Sequence, residues 1–194
     1  MKSLLDFAVL IALYFLIFFK KWCRRGNDVL LVNTLMYIYL SFVLYFTLMP
    51  IISALPFILD HSYVPMNMTP FIDVTHGRGD FVRQIALNII MTVPFGFLLP
   101  LTARNSISPG TPARQTARAI LLGLLRVLFL TFLLSFTIET LQPLLHSFRS
   151  ADITDLITNA LGGLLGYLFY LVFRPLLHNF LDLLKKPHQS PSDH

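Results

Sequence analysis

Residues 139–166 read ETLQPLLHSFRSADITDLITNALGGLLG, and the reading of the chain turns on where this stretch sits. It gathers Glu139, Asp152, Asp155, Arg149, Gln142 and Asn159 around the junction of two apolar runs, in a chain with only 13% charged residues. A bare charge near a bilayer interior costs about 2.5–3.5 kcal/mol even on lenient insertion scales, so such residues persist where something in the bundle compensates them. The junction is therefore either an ion-pair cluster closing one end of a helical bundle or a site.

Outward from the junction, the apolar residues arrive in long blocks. The chain has 194 residues and is 55% hydrophobic, with a mean hydropathy of +0.68. A hydrocarbon core of roughly 30 Å needs about 20 helical residues, and lipid admits only helices or closed barrels. No segment shows the ten-residue alternation of a barrel strand. The fold class expected is all-α: a polytopic membrane helical bundle of about five transmembrane helices, N-terminus outside and C-terminus cytoplasmic.

Residues 1–59 hold two spans, near 4–19 and 29–49, joined by a short basic cytoplasmic loop with Lys20, Lys21, Arg24 and Arg25. The basic flank follows the first apolar run, the reverse of a cleavable signal peptide, so that run reads as a retained anchor. Pro50 and Pro56 predict a kinked or interfacial extension after the second span. Residues 60–84 form an extracellular loop long enough to fold over the bundle mouth. Residues 85–173 carry three spans, near 85–101, 119–141 and 153–173, and residues 174–194 form a cytoplasmic tail.

Orientation follows from Lys and Arg. Eleven of the fifteen fall on the side of the first loop, and seven of the ten acidic residues fall on the other. The formal charge of +5 thus faces the cytoplasm and anionic lipid, and no nucleic-acid partner is expected. Composition assigns no oligomeric state. Cys23 is the only cysteine, which excludes an intrachain disulfide. Neither HExxH nor a paired Cys/His spacing occurs, so no metal and no cofactor are expected.

At 100° per residue, Asp152, Asp155, Asn159, Gly162, Gly163 and Gly166 share one sector about 100° wide. Thr131, Ser135, Glu139 and Gln142 form a second stripe, and Asn88 with Thr92 a third. Three neighbouring helices each turn a polar stripe, and the place outside lipid is toward one another. The same stripes serve as interhelical glue in many membrane proteins, and Gly162 and Gly166 have the small-xxx-small spacing of close helix packing. Pro94 with Gly96 reads as a kink whose freed carbonyl a neighbour satisfies.

Glu139-x-x-Gln142, followed by Arg149-x-x-Asp152-x-x-Asp155-x-x-x-Asn159-x-x-Gly162 and Gly166, resembles the VanZ-like family of bacterial membrane proteins. Upstream, Asn67-x-x-Pro70-Phe71 and Asn88-x-x-x-x-Val93-Pro94-x-Gly96 are similar to earlier signatures of that family. Phe95 departs from it, standing where a smaller aliphatic residue is usual. The resemblance implies a multi-pass protein of the bacterial plasma membrane. It also implies a link to teicoplanin, a lipoglycopeptide that binds peptidoglycan precursors at the outer membrane face.

On that basis the expected function is non-enzymatic: an external polar site binding an envelope amphiphile, either a lipid-linked cell-wall precursor or the antibiotic. Arg149 offers a planar fork to phosphate or carboxylate. Glu139, Asp152 and Asp155 hold that fork or accept from sugar and amide donors, and Asn67, Asn88, Gln142 and Asn159 complete the ligand-binding set. The alternative is a membrane-embedded hydrolase or transferase using Glu139 as base with Asp152 or Asp155 as partner. Against it stands the lack of a Ser or Cys in a recognisable nucleophile elbow. A transporter has less support, since no internal repeat is visible.

Overall fold

The computed structural model describes residues 4–57, 65–77, 79–103, 113–145 and 151–185. Over them the fold is an all-α bundle, with one isolated β-bridge, Asn67 to Asp152. In chain order it comprises α1 (Leu4–Leu13), a π-helical stretch Tyr14–Phe19, α2 (Lys20–Cys23), α3 (Asn27–Thr47), α4 (Ile51–Ala54), a 3-10 turn Leu55–Phe57, α5 (Ile72–His76), α6 (Phe81–Ala103), α7 (Ala113–Leu145) and α8 (Ile153–Leu184). Among the described residues four helices are long and apolar enough to cross a membrane: Asn27–Ala54, Phe81–Ala103, Arg114–Leu145 and Ile153–Leu184.

The N-terminal rod is helical from Leu4 to Cys23, but the π-helical stretch divides it. It is tied to α3 by hydroxyls, Tyr37 donating to the Leu10 carbonyl at 2.7 Å and Tyr14 meeting Thr34 Oγ1 at 2.8 Å. Aromatic contacts of Tyr14, Phe18, Trp22 and Tyr37 complete the seam. Helix α3 ends where Pro50 forbids continuation, and the Leu48 and Met49 amides both fold back onto the Leu44 carbonyl. The chain resumes as α4, whose Ile52 amide donates to Oδ1 of the buried Asp6 in α1 at 3.0 Å. That carboxylate caps a helix in another part of the chain.

Helices α7 and α8 are longer than the apolar runs that predict them. Hydrophobicity marks the part that lipid covers, whereas Arg114, Gln115 and Arg118 are good helix formers that extend α7 beyond it. Helix α8 likewise continues through Pro175 to Leu184.

The centre of the bundle is the α6–α8 crossing. Gly96, Gly162 and Gly166 lie so close to the opposite backbone that a Cβ at any of them would collide with it: Gly96 with the Gly163 carbonyl, Gly162 with the Ile89 carbonyl, Gly166 with the Val93 carbonyl. Gly163 is filled on its other side by Thr131 of α7. Thr92 Oγ1 donates across the crossing to the Asn159 carbonyl at 2.8 Å. Small residues permit this approach, and dispersion and polar contacts replace the hydrophobic drive that lipid withholds. Near Pro94, which stands inside the continuous α6, Tyr39 of α3 donates to the Met91 carbonyl at 2.8 Å, beside the Ile90 carbonyl that proline deprives of its partner.

Apolar clusters lie to either side of this polar middle. One contains Val32, Met36, Phe95, Leu99, Val127 and Tyr167, the other Val43, Leu48 and Ile138. The bundle therefore has an acidic end, with Asp80, Glu139, Asp152 and Asp155, and a basic end, with Arg24, Arg25, Arg114, Arg118, Arg174 and Lys185.

Candidate functional site

Three of the acidic-end carboxylates, Glu139, Asp152 and Asp155, meet around the N-terminus of α8. Asp152 is its N-cap, extended in backbone, with Oδ1 accepting from the Thr154 amide at 2.7 Å. Glu139, 3% exposed, reaches from α7 so that Oε2 accepts the Asp152 amide at 3.2 Å. Asp155 lies in the first turn of α8, and its Oδ1 accepts from Asn88 Nδ2 of α6 at 2.6 Å. The Asp152 and Thr154 amides and the positive end of the helix dipole stabilise negative charge here, so backbone groups supply part of the compensation sought from cations.

A second chain segment clasps the same terminus. The Asn67 amide donates to the Ala151 carbonyl at 2.8 Å, the Ile153 amide to the Asn67 carbonyl at 3.0 Å, and Asn67 Nδ2 to Asp152 Oδ2 at 3.1 Å. Four residues on, Phe71 holds a positive φ of 56°, and its amide donates to Thr154 Oγ1 at 2.9 Å. A left-handed aromatic residue costs on the order of 1–3 kcal/mol, borne here where the loop turns over the start of α8.

Beside this knot lies a cavity of about 860 Å³ between α3, α6 and α7, reaching Asp155 of α8. Its polar wall is Gln84, Asn88, Glu139, Gln142 and Asp155, with Asp80 and Arg83 at the mouth. Its apolar wall includes Tyr39, Val43, Met91, Pro94 and Ile138. Phe42, Phe46, Leu87 and Ile90 also line it and are each more than half exposed, which leaves the cavity open along the α3 and α6 flank. Gln142 Nε2 points to the Thr47 carbonyl at 3.4 Å, closing the far side. The Arg83–Asp80 pair, at 3.9 Å and largely exposed, contributes little to stability.

Of the residues singled out from sequence, Asn88, Glu139, Gln142 and Asp155 line this cavity. Asn67 and Asp152 pair with each other at its edge. Asn159 is buried in the helix seam instead, donating to Ser135 Oγ at 2.7 Å. Arg149 lies outside the described residues. Asp80, Arg83 and Gln84 were missed because they fall in or beside the polar loop, where no periodicity marks a direction. The clue available was their position one to two turns before Asn88. Among the described residues no group of three His, Cys, Asp or Glu side chains is placed to hold a metal ion.

The arrangement presents buried acceptors and amide groups at one end of an apolar, side-opening cleft. It suits a molecule with a polar head rich in hydroxyl, amide or ammonium donors and an attached chain.

A family model described as VanZ/LLP1 matches residues 36–174, which contain every lining residue of the cavity. The protein named Protein VanZ from Enterococcus faecium is 31% identical over 105 residues, 54% of this chain and 52% of that protein. The match thus spans about half the length of this curated relative. No solved structure matches.

Proposed function

The chain belongs to the VanZ/LLP1 family, and from that premise we propose that its acidic-end cavity binds an envelope amphiphile from the outer face of the bacterial plasma membrane. The protein is a multi-pass membrane protein with five spans, its acidic end outside and its basic end in the cytoplasm. The ligand is a lipid-linked cell-wall precursor or a lipoglycopeptide such as teicoplanin, and the consequence of binding is protection against that class of antibiotic.

One observation carries this reading. Asn88, Glu139, Gln142 and Asp155, from three helices, line one cavity whose flank is open and apolar. A sugar–peptide head finds acceptors in Glu139 and Asp155 and amide groups in Gln84, Asn88 and Gln142. Its acyl or polyprenyl chain leaves through the flank beside Phe46 and Ile90, so the chain need not be extracted from lipid.

The test compares wild type with Glu139→Gln and Asp155→Asn, expressed to equal membrane levels in a teicoplanin-sensitive host. Both variants should lose protection, and each purified protein should lose co-purifying polyprenyl lipid or bound teicoplanin. Undiminished protection from both variants, or their undiminished retention of both ligands, overturns the proposal.

A further inference from the structure

A second cavity, of about 170 Å³, lies at the basic end between α6, α7 and α8. Arg126 of α7 stands thirteen residues before Glu139, roughly 20 Å along the helix axis, so the two cavities sit near opposite membrane faces. Arg174 of α8 lines the same space, as do Tyr167 and Tyr170 of that helix. The lining holds two guanidiniums and no carboxylate. Among the described residues neither Arg126 nor Arg174 takes part in an ion pair.

The walls are fixed. Tyr167 donates to the Ile120 carbonyl at 2.7 Å, and its hydroxyl fills the place where a side chain at Gly123 would stand. The Tyr170 hydroxyl lies 3.4 Å from His178 Nε2. Pro100 closes the space from α6. Two lone arginines on separate helices could each reach toward interfacial water. Lining one partly open cleft, the exposed Arg126 and the half-buried Arg174 have no acidic partner there among the described residues, which makes the cleft a site for an anion, and guanidinium forks match phosphate oxygens in geometry and charge.

We propose that this basic-end cavity binds a phosphate group held between Arg126 and Arg174. The cavity admits a phosphate and a short ester but not a sugar–peptide head, so its ligand differs from that of the acidic end. Phosphate at this depth comes from a phospholipid headgroup of the adjoining leaflet or from free phosphate. Basic pockets between transmembrane helices on the cytoplasmic side hold lipid headgroups in this manner.

The experiment is native mass spectrometry of the full chain in mild detergent, with phosphatidylglycerol, diacylglycerol and inorganic phosphate as probes. Wild type should retain phosphatidylglycerol and not diacylglycerol. An R126Q/R174Q variant should weaken retention at least about tenfold, whereas K20Q/K21Q, which removes equal charge at a distance, should leave it unchanged. Displacement of the lipid by inorganic phosphate identifies free phosphate as a sufficient ligand, and failure to displace it identifies the lipid headgroup. Equal retention by R126Q/R174Q and wild type, or equal retention of the two lipids by wild type, overturns the proposal. Should the double variant fail to fold, the wild-type comparison of the two lipids decides alone.

Discussion

Asn88 and Asp155, 67 residues apart in the chain, meet at 2.6 Å from Nδ2 to Oδ1. The bond joins α6 to the first turn of α8 at the cavity wall. It fixes the carboxylate's direction as well as contributing to stability. Asn88→Ala should destabilise the protein by about 1 kcal/mol, in the range of interhelical side-chain bonds in membranes. A thermal-unfolding cycle with Asp155→Ala should return a coupling of at least about 0.5 kcal/mol. Additive single effects would mean that the two side chains act independently.

The Gly166 contact with the Val93 carbonyl leaves no room for a side chain. Gly166→Leu must push α8 off α6 and should cost about 3 kcal/mol or more, seen as a lower melting temperature or loss of monodisperse protein on size-exclusion chromatography. Retention of the wild-type melting temperature would contradict the crossing described.

Asp152 is both helix cap and partner of Asn67. Asp152→Ala should cost about 1–2 kcal/mol from the lost cap alone. Asn67→Ala should cost less, because its two backbone bonds to Ala151 and Ile153 survive. Hydrogen exchange should show the amides of Asn67 and Ile153 opening faster in Asp152→Ala than in wild type.

Asn159 and Gln142 separate packing from binding. Asn159→Ala removes the bond to Ser135 and should lower the melting temperature while leaving ligand retention within about twofold, less than about 0.5 kcal/mol. Gln142→Ala, in the cavity wall, should reduce retention. The opposite pattern would move the site into the seam.

Orientation is accessible through the single cysteine. Cys23 is exposed, beside the basic loop, and should resist a membrane-impermeant maleimide in intact cells. In a Cys23→Ala background, Asp80→Cys at the cavity mouth should label readily. Labelling of Cys23 and protection of Asp80→Cys would invert the proposed topology.

Much of this was visible in residue order for simple reasons. Lipid demands unbroken apolar runs, so α3, α6, α7 and α8 announce themselves, and the Gly162–Gly166 spacing announces a close crossing. The polar stripes show which faces turn inward. A stripe about 100° wide cannot distinguish a seam from a cavity, however, and Asn159 and Asp155 share one sector with different fates. The Asn67–Asp152 clasp depends on a loop returning across 85 residues, which no local pattern encodes. The stabilisation of Glu139 by the Asp152 amide was equally hidden, because a backbone donor has no letter in the sequence.

The glycine crossing makes α6 and α8 a single stiff part, locked main chain against main chain. Opposite them, α3 touches the cavity through Tyr39, Val43 and Thr47 and is held by contacts that run through side chains and not main chain against main chain. Enlarging the cleft for a bulky guest therefore falls to α3, which would swing like a gate hung on the N-terminal rod while the carboxylates behind it stay fixed.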